Sequence, residues 1–318
     1  MLEQKQACIF VPMSGIKKFI RPIRYALVYW LVRFLIAISN ALPRKTWLKL
    51  CGALGRLAYC VAGQTRKLMH THIRIAFPEL KDHEVKSLAK KNFIMLGKNT
   101  GEILRATSVR NLEEIEKFLV VHDYENFESA KAQNRGVIFL AGHIGAFDLQ
   151  VTYMSLKGMR PLIIGTPLKD PRLNDLLWKQ RNAHGAIAVE RGKEMFRLLK
   201  ELKSGGSLAI LIDQDTKVKS RFVNFFGRPA ATPVGAATFA IKTGAVIVPT
   251  FIHLGEDGMQ HMHFMPAIET TISGDEEKDL VENTQRYTDF IEAQVRKHPE
   301  QWVWMHERWK TQPGREIR

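Results

Sequence analysis

An α/β fold is predicted, with a mixed, mostly parallel central sheet flanked by helices and an N-terminal helical membrane anchor ahead of it. Three observations carry this. From residue 115 onward, short runs rich in β-branched residues alternate with amphipathic stretches, the pattern of strands joined by crossover helices. Residues 1–63 instead form two apolar stretches interleaved with basic side chains. The composition, 45% hydrophobic and 25% charged over 318 residues, is that of an ordinary globular chain and excludes a disordered, collagen-like or multi-span protein.

Residues 1–63 are read as anchor helices and 64–318 as the α/β domain. Tyr25 to Leu42 is largely apolar, broken by Arg33, and as a helix reaches about 27 Å, marginal for a hydrocarbon core of about 30 Å. Lys17, Lys18, Arg21 and Arg24 precede it while Arg44, Lys45 and Lys49 follow, so flanking charge sets no orientation. Trp47 to Gly63 is again apolar, with Lys49 and Arg56 at helical intervals. The pair suits an interfacial anchor or a short re-entrant hairpin better than two spans. A buried hairpin capping the main domain is the alternative. No small-residue cleavage site follows the apolar run, so a cleaved signal peptide is not expected.

The first 70 residues hold twelve Lys and Arg against one acid, Glu3, so most of the net charge of +15 sits there. Basic charge interleaved with apolar residues points to an anionic phospholipid membrane and away from nucleic acid. Cys8, Cys51 and Cys60 all lie in this segment. So odd and sparse a set suits a reducing compartment better than a disulfide framework, and it leaves residues 61–318 without a thiol nucleophile.

Strands are expected at Phe118–His122, Val137–Ala141, Pro161–Gly165, Ala186–Val189, Leu208–Ile212, Val246–Phe251 and Met259–Met265. Helices are expected at Phe147–Leu156, Asn174–Ala183, Met195–Lys203, Val234–Lys242 and Glu276–Lys297, with 64–114 helical and broken near Pro78. In an open α/β sheet the chemistry gathers at the carboxyl ends of strands. There, directly after Val137–Ala141, stands Gly142-His143-Ile144-Gly145-Ala146-Phe147-Asp148. On one helix His143 and Asp148 would point about 140° apart. They meet only if His143 sits in the strand-to-helix loop and Asp148 in the first helical turn, a tight path that Gly142 and Gly145 permit. The carboxylate would then fix the imidazole tautomer and make His143 a general base. The alternative is a packed histidine beside a helix-capping aspartate.

The chain resembles the bacterial lipid A late acyltransferases of the lysophospholipid acyltransferase-like superfamily, whose signature is His, four residues, then Asp or Glu. The resemblance covers roughly residues 20–312. It includes Arg74 to Glu79, Gly101 to Arg105, Arg181 to Gly185, Ile212 to Asp215, Phe225 to Gly235, and the tail Pro299 to Lys310 with its Trp-His-Arg signature. It implies a glycerol-3-phosphate acyltransferase-like fold, with His143 and Asp148 as a catalytic pair and no acyl-enzyme. No metal or resident cofactor is implied, the acyl thioester being a co-substrate. Arg181 and Arg191 become candidates for a phosphate or oxyanion contact, and Asp213, Gln214, Phe226, Gly227 and Thr232 for substrate binding. The implied partners are acyl carrier protein, a lipid A precursor and the membrane, at the cytoplasmic face of the inner membrane.

Two observations on the residues agree with direct transfer: the α/β region has no cysteine, and no Gly-x-Ser-x-Gly elbow is present. Other readings stay open. The acceptor is another bacterial lipid or glycolipid, acylated from acyl-CoA or the carrier protein. Alternatively, Asp213 and Asp215 hold a divalent ion in a membrane glycosyltransferase, although Asp at a strand end also serves turn bonding. His261 with His263, like His70 with His72, lacks a third ligand at metal spacing and is read as packed or solvated.

Overall fold

The computed structural model describes residues 13–190, 192, 194–315 and 317. Four helices open the chain: α1 (Met13–Ala41), α2 (Arg44–Val61), α3 (Gly63–Ala76) and α4 (Asp82–Arg105). The α/β region follows as α5 (Leu112–Glu116), β1 (Leu119–His122), α6 (Glu125–Lys131), β2 (Val137–Ala141), α7 (Asp148–Leu156), β3 (Leu162–Gly165), α8 (Pro171–Arg181), β4 (Ile187–Glu190), α9 (Met195–Lys203) and β5 (Ser207–Leu211). It ends with β6 (Ser220–Phe225), β7 (Arg228–Pro233), α10 (Gly235–Thr243), β8 (Val246–Leu254), β9 (Gln260–Phe264) and α11 (Glu276–Lys297).

All seven expected strands form one sheet in the order β1-β9-β8-β2-β5-β3-β4. Only the β8–β9 pair is antiparallel, so the sheet is mixed and mostly parallel, as expected. Strand β2 shows why it is central: Ile138 and Leu140 enter one core cluster and Val137 and Phe139 the other, so both faces are covered. The β6–β7 hairpin was not anticipated. Phe226 (φ 54°) and Gly227 (φ 72°) turn it, the left-handed pair that a two-residue hairpin loop needs.

Helix α2, expected with α1 in the anchor, packs along α4. Trp47, Leu48 and Cys51 are buried, Trp47 Nε1 donates to the Gly101 carbonyl, and Arg44 pairs with fully buried Glu102 at 2.6 Å. Backbones here nearly touch: a Cβ on Gly55 would lie 2.2 Å from the Phe93 carbonyl oxygen, and one on Gly97 2.3 Å from that of Cys51. Helices α2 and α4 thus form a closely packed pair. Residues Arg21–Ala41 of α1 are long and apolar enough to cross a membrane.

At the β1 side of the sheet, register aligns His122 with His263 and His253 with His261, so the two strand histidines pack. His263 stacks between His122 (4.4 Å) and Phe251 (4.5 Å), and His253 stacks on His298 (4.0 Å). Burial first, then the neighbouring imidazoles, push His253 down to about 3 and His263 down to about 4. Depressed below the unfolded value of about 6.5, these groups bind fewer protons when folded than when unfolded. Their stabilising effect is full above that value and drains away as pH falls through the window from 6.5 to 3. Discounted for solvent, it is worth about 1–2 kcal/mol. Urea midpoints at pH 7.5 and 5 are expected to differ less in a His253→Gln/His263→Gln chain than in the parent; equal differences would exclude the stack as the cause.

Candidate active site

Strands β2 and β5 are parallel neighbours with Ala141 opposite Leu211, and each continues two residues past that pair, to His143 and Asp213. That register builds the site. His143 donates its backbone N–H to Asp213 Oδ2 at 2.7 Å, and its Nδ1 lies 2.7 Å from Oδ1. Trp302 Nε1 donates to Oδ2 at 2.8 Å. Asp213 is 2% exposed. Burial works to raise its carboxyl; the His143 charge and these donors overcome it and hold the group down to about 2. An ionised acceptor assigns the proton to Nδ1, which leaves Nε2 with the lone pair. Nε2 has no hydrogen-bond partner among the described residues, and the side chain is 20% exposed.

The loop around His143 is held from three sides. A Cβ on Gly142 would meet Ile291 at 3.0 Å and Asp213 Oδ2 at 3.1 Å. Gly145, at φ 63°, passes the Ile252 carbonyl so closely that a Cβ would lie 2.3 Å from its oxygen. The Gly145 N–H donates to the Gln301 carbonyl, and Ile144 bridges to Trp302. Gln301 in turn grips the Leu254 backbone with both ends of its amide. Asn92 on α4 donates to the Glu300 and Trp302 carbonyls, and His72 on α3 bonds the Trp304 carbonyl. Trp302 and Trp304 of the terminal segment are thus buried core, and Trp302 carries the described hydrogen bond to the dyad.

The expected His143–Asp148 hydrogen bond is not the one this fold makes. Asp148 opens α7, and its Oδ1 accepts from Arg181 Nε at 3.0 Å and Nη2 at 2.9 Å. Both side chains are 17% exposed. Arg181 closes α8 and reaches across because Gly165 at the end of β3 lacks a side chain; a Cβ there would lie 3.3 Å from Nη1. The fold thus brings His143, Asp148, Arg181 and Asp213 to one end of the sheet, with His143 hydrogen-bonded to Asp213 and Asp148 to Arg181. Sequence expectation missed Trp302 as a donor to Asp213.

The ion pair borders a cavity of about 50 Å³ between β2, β3, β5 and α7. Phe139, Ala141, Phe147, Met154, Ile163 and Ile210 make it apolar, with Asp148, Gln150, Arg181 and Thr250 as polar members. Ligand pockets usually enclose roughly 300–1,000 Å³, so a long acyl chain enters only if the side chains part.

The remaining candidates fall elsewhere. Asp215 accepts from the Thr311 N–H and hydroxyl, so both carboxylates of the Asp213-Gln214-Asp215 segment are engaged by protein donors. Gln214 is half-buried between them, without a described hydrogen bond. Phe226 packs on Phe77 and under Arg296, and Gly227 completes the hairpin turn. Thr232 is fully buried, accepting from Arg308, itself fully buried and bonded to the Ala231 carbonyl. Phe226, Gly227 and Thr232 have no described hydrogen bond or ring contact with His143, Asp148, Arg181 or Asp213; the hairpin that they build was not foreseen. Arg191 lies outside the described residues.

Removing one donor to Asp213 tests the assembly. Trp302→Phe keeps the ring's bulk and is expected to lower kcat about tenfold with KM unchanged, the cost of one hydrogen bond to a charged group. An unchanged kcat would show that Trp302 only packs.

A histidine hydrogen-bonded to a buried carboxylate, at the carboxyl edge of a mostly parallel sheet, stands where α/β enzymes gather their chemistry. The family model for bacterial lipid A biosynthesis acyltransferase matches residues 13–311, and the chain belongs to that family. It is an acyltransferase. It is similar to a lipid A biosynthesis acyltransferase of Haemophilus influenzae (28% identical over 284 residues, 87% of this chain and 85% of the relative). It is also similar to the lipid A biosynthesis lauroyltransferase of Escherichia coli (26% over 309 residues, 95% and 98%). A more distant likeness is to a phosphatidylinositol mannoside acyltransferase of Mycobacterium tuberculosis (24% over 194 residues, 60% of each chain).

Proposed function

We propose that the protein transfers a fatty acyl chain from an acyl carrier protein thioester to a hydroxyl of a lipid A precursor, at the cytoplasmic face of the inner membrane. The observation that carries this reading is the His143–Asp213 pair with a free Nε2, in a chain of the lipid A acyltransferase family. His143 Nε2 takes the hydroxyl proton as the oxygen attacks the thioester carbonyl. The tetrahedral intermediate then collapses, the C–S bond breaks, and the imidazolium returns the proton to the departing thiolate, which leaves as thiol. No acyl-enzyme forms.

Asp213 stays ionised throughout and supports the imidazolium. The N-terminus of α7 and the Arg181 guanidinium supply positive charge beside the developing oxyanion. Acyl carrier protein is proposed as donor because a net charge of +15, most of it in the first 70 residues, would draw an acidic carrier to the chain.

The test is the purified chain incubated with acyl carrier protein thioester and a lipid A precursor, with products read by mass spectrometry. One added acyl ester per acceptor and a stoichiometric free thiol are expected. Transfer from acyl-CoA alone would overturn the donor assignment, and thioester hydrolysis without an ester product would overturn the acceptor.

A further inference from the structure

We infer that α1 does not cross the bilayer but lies along its surface, and that the sheet edge bearing His143 rests on the same anionic leaflet through Leu168, Met195 and Phe196. This rests on the proposed function only in that the acceptor is taken to be a membrane lipid.

Helix α1 is occupied along one side. Half-buried Tyr25, Tyr29, Val32, Ile36 and buried Ser39 recur at helical spacing. Arg172 of α8 sits over the Tyr29 ring at 5.2 Å. Leu35, Ile38 and Leu42 pack on the Trp47 cluster, and Arg105 of α4 donates to the Ser39 and Leu42 carbonyls. From Tyr29 to Leu42 the helix is therefore bound to the protein over about 20 Å of its length. Residues 13–28 of the helix, about 24 Å, are too short to span a hydrocarbon core of about 30 Å. Its outer face is apolar nonetheless: Leu27, Trp30, Leu31 and Phe34 are 54–67% exposed. A helix docked on one side and apolar on the other lies in an interface.

The Arg172–Tyr29 contact fixes what lies beside it. Helix α8 follows the loop at the carboxyl end of β3, and α9 follows that of β4, at the same sheet edge as His143 and Asp213. That rim exposes Leu168 (45%), Met195 (51%) and Phe196 (81%). Lys169, Arg172 and Arg197 are exposed among them, Arg172 paired with Asp170 and Arg197 with Glu194, and basic side chains next to protruding apolar ones fit anionic headgroups over acyl chains. An acceptor would thus reach His143 laterally from the leaflet.

Two experiments on the full chain test this. In the first, the Cys8→Ser/Arg21→Cys chain is added to preformed phosphatidylethanolamine/phosphatidylglycerol vesicles and treated with a membrane-impermeant maleimide. Residue 21, in α1 where its apolar stretch Arg21–Ala41 begins, and exposed Cys60, near the end of α2, bracket that stretch. Both are expected to react without detergent; protection of residue 21 until detergent is added would mean that α1 spans. In the second, Phe196→Glu and Leu168→Glu are assayed with the acceptor in vesicles and in detergent micelles. A loss of about tenfold in vesicles and less than twofold in micelles is expected. Equal losses in both would make the rim structural, and equal activity in vesicles would remove it from the membrane. Absence of turnover by the parent chain in both media would count against the proposed function, while the labelling result would still decide the placement of α1.

Discussion

His143→Ala is expected to lower acyl transfer by about 10³-fold or more, and Asp213→Asn to cost nearly as much although it leaves the imidazole in place. The asparagine is isosteric, but its amide would present N–H groups to donors that now meet a carboxylate. The His143 N–H, Nδ1–H and Trp302 Nε1–H all point at this one group. The imidazole then loses the partner that holds the proton on Nδ1, and the wrong tautomer places N–H, not a lone pair, at the acceptor hydroxyl. The imidazolium also loses its counter-charge. Thermal melting of Asp213→Asn is expected to stay cooperative, with a lowered midpoint, since a buried group is left imperfectly paired at about 1–3 kcal/mol. The assay is single-turnover transfer with saturating thioester. If Asp213→Asn retains activity within tenfold of the parent, the carboxylate is not the partner that matters and the dyad assignment is wrong.

Sheet class, strand positions and most helices were legible because apolar periodicity reports burial on one face or two, and that is local information. The helix spans Met195–Lys203 and Glu276–Lys297 and the strand Val137–Ala141 came out residue for residue. The partner of His143 was not legible. It depends on β5 lying beside β2, so that residues 70 positions apart come level at a strand end, whereas Asp148 is near His143 in sequence yet carried off by the turn into α7. The β6–β7 hairpin escaped for a different reason. Its second strand reads Arg-Pro-Ala-Ala-Thr-Pro, short side chains between two prolines, with none of the β-branched alternation that marks a strand. The packing of helix α2 was not legible, because its outer stripe, Leu50, Leu54, Leu57 and Val61, is apolar and exposed, while the opposite face packs on α4. Hydrophobicity alone cannot say which side faces protein.

Asp148→Asn is expected to reduce transfer by about 10–100-fold, and by a different route from Asp213→Asn. Asp148 holds Arg181 through one oxygen that receives both Nε and Nη2. Loss of its charge leaves a guanidinium at the wall of the apolar cavity without its partner, free to swing from the place where it would meet the oxyanion or an acceptor phosphate. The imidazole keeps Asp213, so the proton should stay on Nδ1 in this variant, whereas Asp213→Asn removes the acceptor that holds it there. Arg181→Met should cost a similar factor, and the double variant little more than either single change, as expected for two groups acting as a unit. Additive losses would mean that each residue works independently. If Asp148→Asn/Asp213→Asn loses no more than Asp213→Asn alone, Asp148 acts through the imidazole after all, sharing the role that the strand register gives to Asp213.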